Sequence, residues 1–173
     1  TDTLTFAGGI THTQGNTTLC GKIITNSSPV VLSSDANIKT LTLTGNSTIQ
    51  TTGAVGNETG AAITLGSVSG MGKALTLTGG TGNITVYGAV GSESTKLGNI
   101  TIKGNDVTLQ KTVTTKGELS VTHSGIFTIA EEVDITADKG FIQYGTGTLA
   151  IGGTSAVTTK NAPISFNGSG TLT

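Results

Sequence analysis

Residues Asn83–Val113 read NITVYGAVGSESTKLGNITIKGNDVTLQKTV and state nearly the same pattern three times. Asn83-Ile84-Thr85-Val86 recurs as Asn99-Ile100-Thr101-Ile102 and again as Asp106-Val107-Thr108-Leu109. Each time a small polar residue opens a branched-Thr-branched triplet, and a corner marked by Gly or Lys follows. Successive side chains of a strand face opposite ways, so the branched residues share one side and the Thr stands on the other. Thr suits that outer side, because its β-branched stem fits the pleat and its hydroxyl faces water.

Working outward, the same alternation appears at Thr40-Leu41-Thr42-Leu43-Thr44 and Leu75-Thr76-Leu77-Thr78. No segment has a comparable helical period. The nearest, TIAEEVDITADKG, also parses as strands Phe127–Ile129 and Val133–Thr136, which is the reading we take. A second marker, often written Gly-Ala-Val, sits at Gly53-Ala54-Val55, Gly66-Ser67-Val68, Gly88-Ala89-Val90, Lys111-Thr112-Val113, Glu131-Glu132-Val133 and Ser155-Ala156-Val157. From Val68 to Val157 these valines step by 22, 23, 20 and 24 residues. A period of that size, with one supersecondary unit per repeat, marks a solenoid. Short strands with Gly/Asn corners and no crossover helix predict an all-β, right-handed parallel β-helix of roughly 22-residue coils. One coil cannot bury its own inward residues, so Ile84, Ile100 and Leu119 are expected in comparable inward positions. Val55 precedes Val68 by only 13 residues, which predicts an irregular stretch near 56–74 in an otherwise single segment, 1–173. A β-sandwich is the alternative, since it too uses many short strands. It would call for hairpin turns and aromatic core anchors, and only four Phe and two Tyr are available.

Composition narrows the function classes. Charged residues are 11% of the chain, well below the globular norm of about 25%. The nine basic residues are all Lys and the formal net charge is −1. Phosphate recognition needs a basic face and favours Arg, so nucleic acid is not an expected partner. A polybasic membrane patch is absent as well, and no apolar run approaches 18 residues, so no membrane insertion is expected. Cys20 has no second cysteine to pair with and reads as a small buried residue. No signal peptide or anchor is visible, and the chain reads as a mature or excised segment of something longer.

The C-terminal third carries a family likeness. Gly140-Phe141-Ile142-Gln143, Gly145-Thr146-Gly147 and Thr158-Thr159-Lys160-Asn161-Ala162-Pro163-Ile164-Ser165-Phe166-Asn167-Gly168 follow one another, and AVGSESTKLGNITIKG stands in the middle of the chain. This succession resembles the repeats of very large bacterial surface proteins of the filamentous-haemagglutinin-like type. It covers roughly two-thirds of the chain and is weakest before Asn37. The resemblance implies an extended right-handed β-helix exported to the cell surface for adhesion or fibre formation.

Candidate sites are few. Glycoside hydrolysis needs two carboxylates flanking the bond, and the one acidic cluster is Glu131, Glu132, Asp134 and Asp138. Alternation places Glu132 and Asp134 on one face, which is also how a solvated strand edge looks, so no catalytic residue is assigned. His12 and His123 lack partners at metal-ligand spacing and read as surface residues. Gly79-Gly80-Thr81-Gly82-Asn83 begins like a calcium-roll repeat, but Ile84 stands where its carboxylate belongs. No metal or cofactor is therefore expected. An ice-binding Thr array would align Thr42/Thr44 with Thr76/Thr78, and Lys103 beside Thr101 interrupts it. Asn-x-Ser/Thr occurs at Asn16, Asn26, Asn46, Asn57, Asn83, Asn99 and Asn167, seven of the ten asparagines. These are candidate glycosylation acceptors, although Asn also suits corners.

The sequence is thus read as a non-enzymatic, structural and adhesive rod or fibre segment, extracellular or on a bacterial cell surface, presenting Thr/Ser/Asn-rich faces. A self-polymerising extracellular filament subunit is the alternative, and a polysaccharide-degrading β-helix the third reading. The expected partners are further coils or neighbouring copies end to end, and host or matrix glycans. Both TDTLTF and GTLT are strand-like and uncapped, which is the reason to expect continuation.

Overall fold

The structure is a computed structural model that describes residues 2–54 and 59–168. It is a parallel β-solenoid: every register pairing between strands is parallel. Three sheets run along the axis. The first stacks β1 (Thr3–Phe6), β3 (Thr17–Thr25), β5 (Thr40–Gln50), β8 (Leu75–Thr78), β10 (Ile100–Gly104), β13 (Leu119–His123), β16 (Phe141–Gly145) and β19 (Ile164–Gly168). The second stacks β2 (Ile10–Thr11), β4 (Val30–Val31), β6 (Ile63–Leu65), β9 (Ile84–Val86), β11 (Val107–Leu109), β14 (Phe127–Ile129) and β17 (Leu149–Ile151). The third is formed by β12 (Val113–Thr115), β15 (Asp134–Ala137) and β18 (Ala156–Thr158), and β7 (Ser67–Ser69) beside the first half of β5 extends it.

Alternation sets the packing. Along β10 the pattern buried–exposed–buried–exposed–buried follows Ile-Thr-Ile-Lys-Gly. Stacking such strands in register turns single inward residues into columns. Ile23, Ile49, Leu77, Ile102 and Val121 form one on the first sheet. Ile63, Ile84, Val107, Phe127 and Leu149 form another on the second. Leu41, Val68, Val90, Val113, Ile135 and Val157 complete the third face. Burying each such side chain contributes roughly 1.5–3 kcal/mol, so the columns are the main source of cohesion between coils.

Two expectations about register need correction. Ile84 is inward but lies on the second sheet, whereas Ile100 and Leu119 face each other directly on the first. The three similar triplets therefore belong to two faces, because every face demands the same in-out-in order. Val133 is buried but is not the partner of Val113; that place belongs to Ile135. Glu132 turns at φ 60°, and the strand starts only after that turn. Val68 in turn pairs with Leu41, so the third-face column steps by 27, 22, 23, 22 and 22 residues, more evenly than the valines suggested. Residues 55–58, which hold Val55, Asn57 and part of the stretch expected to be irregular, lie outside the described residues.

Cys20 is exposed rather than buried. It sits where the register between β3 and β5 shifts, between Leu19 and Gly21, and the slipped residue points outward over Gly45. Among the described residues no helix is long and apolar enough to cross a membrane.

Candidate functional site

The sequon asparagines have a structural role that recurs at the corners. Asn99 immediately precedes the first inward residue of β10, and its Oδ1 accepts the backbone N–H of Glu118, the equivalent residue one coil on, at 3.1 Å. Asn16 does the same for Thr40 at 3.0 Å and Asn46 for Ala74 at 2.9 Å. Asn83 accepts from Asp106 at 3.2 Å and also from the Asn105 side-chain amide at 3.1 Å. Asp106 and Asp134 repeat the device, accepting from Ile126 at 2.8 Å and Ala156 at 3.2 Å. Corner N–H groups have no strand partner of their own, so a short acceptor side chain is the natural way to satisfy them. The Asn99 side chain lies over Gly117, where a Cβ would collide with Oδ1, which explains a Gly one coil after the Asn. Asn26 and Asn167 are exposed but stand elsewhere, at the end of β3 and outward on β19. Asn57 lies outside the described residues.

The acidic cluster is dispersed. Glu131 and Glu132 are exposed in a turn, so Glu132 does not share a strand face with Asp134. Asp134 holds the corner just described. Asp138 bonds to Lys96 at 3.2 Å and to Lys160 at 3.4 Å, and Lys96 also reaches Glu93 at 3.2 Å. Partial burial works to raise the Asp138 pKa, but the hydrogen bonds and charges of Lys96 and Lys160 outweigh it and hold the carboxyl below its ordinary range. For Lys96 burial acts downward, and Asp138 with Glu93 prevails and lifts the ammonium above its usual value. Both partners are thus stabilised in their charged forms, as a clamp across coils.

His12 is exposed, but His123 is not a surface residue: it is 3% exposed. It occupies an inward place on β13 between Gly104 and Gly145 of the adjacent strands, and the ring fills the space those glycines leave. A Cβ at Gly145 would run into the imidazole. Nδ1 donates to the Gly125 carbonyl at 2.9 Å, which leaves Nε2 to accept from Gln143 Nε2 at 2.6 Å. The pair is a satisfied polar insert beside a short aromatic stack of Phe127, Phe141 and Phe166. Among the described residues no group of three His, Cys, Asp or Glu is placed to hold a metal ion.

What the molecule offers outward is hydroxyls in register. Thr64, Thr85, Thr108 and Thr128 form one ladder on the second sheet. Thr48, Thr76, Thr101 and Ser120 form another on the first. The residues aligned with Thr76/Thr78 are Thr48/Gln50, not Thr42/Thr44, because the bulge in β5 shifts the register by several residues. Sequence alone missed an open groove of about 830 Å³ where the first sheet turns toward the second. Its lining comes from many coils, and only the register brings those residues together. Comparison with known proteins gives no matching family model, no matching curated protein and no matching solved structure.

Proposed function

We propose that this solenoid is a segment of an extracellular, cell-surface rod whose work is mechanical and adhesive. The observation that carries the reading is the pair of in-register hydroxyl ladders on two faces, with the charged residues largely confined to corners. Such faces make many weak hydrogen bonds to sugars or matrix, each modest alone and additive along a stiff rod. The likeness of Gly140–Gly168 to filamentous-haemagglutinin-like repeats supports the same reading. No turnover is assigned: Asp134 and Asp138 are engaged in corner and clamp bonds, and Glu131 and Glu132 stand in a turn.

A second reading, self-association, has its own observation. The inward columns run out to Leu4 (55% exposed) and Phe6 (39%) at one end and to Ile164 (43%) and Phe166 (46%) at the other. Apolar strand edges of this kind extend by strand addition, through further coils or a second copy. The adhesive reading is tested with beads coated in the protein and rinsed over surfaces bearing glycans, collagen or the protein itself. Retention above uncoated beads on glycan or matrix is expected. Retention on the protein alone would favour the filament, and retention on none would refute both.

A further inference from the structure

The groove crosses the strands of the first sheet near their ends. Gln50, Thr78, Lys103, Thr122, Tyr144 and Asn167 stand in one outward column along it, each on the next strand in register. Thr52, Thr81, Ser124 and Thr146 line the opposite side, on the turn toward the second sheet. Five inter-strand steps of about 4.8 Å make the column roughly 24 Å long, parallel to the solenoid axis. An occupant is therefore a linear polymer that meets a fresh hydroxyl or amide at each coil.

Three observations choose among polymers. The backbone at the groove is already bonded: Thr51 N–H donates to Thr78 at 2.9 Å and Gly79 N–H to Lys103 at 2.7 Å, and the rest of the sheet continues the ladder. A peptide cannot add there as a strand, since strand addition needs a free edge. Lys103 is the lone charged side chain of the lining, with no carboxylate beside it, and it makes no ion pair among the described residues. One cation in six coils suits a sparsely anionic chain and not a nucleic acid, which brings a phosphate with every unit. Tyr144 is 45% exposed in the same column, offering a ring face to a sugar.

We propose that this groove binds a linear, carboxylate-bearing polysaccharide lengthwise. Lys103 pairs with a uronate carboxylate, the Thr, Gln and Asn side chains bond the sugar hydroxyls, and Tyr144 packs against a pyranose ring. The proposal deepens the adhesive reading and rests on it, giving that reading a place and a ligand class.

The test is biolayer interferometry with the protein immobilised and sodium alginate, polygalacturonate or neutral hydroxyethyl cellulose in solution. Binding to the two acidic polymers is expected, weakened about fivefold by Lys103→Gln, the scale of one exposed ion pair. Thr122→Trp, which fills the groove from its wall, should abolish binding. Both variants place the change on an outward position, and unchanged thermal melts confirm the fold. Binding that neither variant alters would overturn the groove and leave the adhesive reading intact. Cellulose binding as strong as alginate binding would overturn the carboxylate. No binding by the parent protein would overturn the whole proposal, while bead retention on other coatings judges the adhesive reading separately.

Discussion

Asn99 allows two explanations of the sequons to be separated by experiment. The Oδ1 atom satisfies the Glu118 N–H at 3.1 Å and covers Gly117, while the hydroxyl that completes the sequon belongs to Thr101, on the outer side of β10. Asn99→Ala removes the acceptor and leaves that N–H to water at an exposed corner. The loss is about 1 kcal/mol, the usual value for an Asn or Asp that caps an orphan amide. For a chain of this length that is a fall of about 2–4 °C in Tm. Asn99→Asp keeps an acceptor oxygen in place, as Asp106 and Asp134 do naturally, and should stay within about 0.5 kcal/mol of the parent. Thr101→Val destroys the sequon but not the bond, and its branched stem still fits the strand.

Far-UV circular dichroism melts of the four proteins check this, with intact mass for those made in a glycosylating host. The expected order is parent, Asp and Val variants together and the Ala variant below them. Equal melts for Asn99→Ala and Asn99→Asp would refute the corner bond as the reason for the residue. A drop with Thr101→Val, accompanied by loss of glycan mass, would make the sequon itself the reason.

Other consequences follow from the same stack. Phe127→Ala, in a fully buried column place, should cost about 3–5 kcal/mol, while Thr128→Ala beside it should change stability by less than about 0.5 kcal/mol in urea unfolding. Thr17 pairs with Leu41 in the third-face column, and its buried Oγ1 has no hydrogen-bond partner, so Thr17→Val should raise stability by about 1 kcal/mol, read as a higher urea midpoint. Asp138 has its pKa lowered on folding, so its contribution is present above the ordinary carboxylate pKa and is lost as pH falls through the folded value. The gap in Tm between parent and Asp138→Asn should accordingly close on acidification from neutral pH. Lys96, raised on folding, contributes below its unfolded pKa near 10.5 and loses that contribution as pH rises past the folded value, so the gap should also close in strong alkali.

The fold was legible because alternation and a coil-length period are both carried by the chain itself. β14 and β15 fall within a residue of the strands read from TIAEEVDITADKG. Register was less legible, and for a physical reason. An in-out-in triplet after a small polar residue is the solution on all three faces, so likeness in sequence does not say which face a triplet occupies. Ile84 and Ile100 look equivalent and belong to different sheets. Turns that use an extra residue, such as Glu132 at positive φ, move the next inward position without leaving a mark in composition. His123 was misplaced because its burial depends on Gly104 and Gly145, nineteen and twenty-two residues away in the chain and adjacent in space. The groove was invisible for the same reason.

The abundance of Asn-x-Ser/Thr then has an architectural cause that does not depend on modification. A corner needs a short side-chain acceptor, the next residue must be one that faces inward, and the one after it faces outward on a hydroxyl-rich surface. Asn83-Ile84-Thr85 and Asn99-Ile100-Thr101 fill those three places in order, and Asn46-Ser47-Thr48 does so with a buried Ser. Sequons are thus produced wherever corner and ladder meet, and where Asp serves as the corner acceptor, at Asp106 and Asp134, the same geometry yields none. In the four corner asparagines Oδ1 is turned to the backbone of the next coil, and all four residues are exposed. Attachment at Nδ2 would leave that acceptor in place. Corner bonding and glycosylation therefore compete as explanations of why the residue is Asn, yet they do not compete for the same atom.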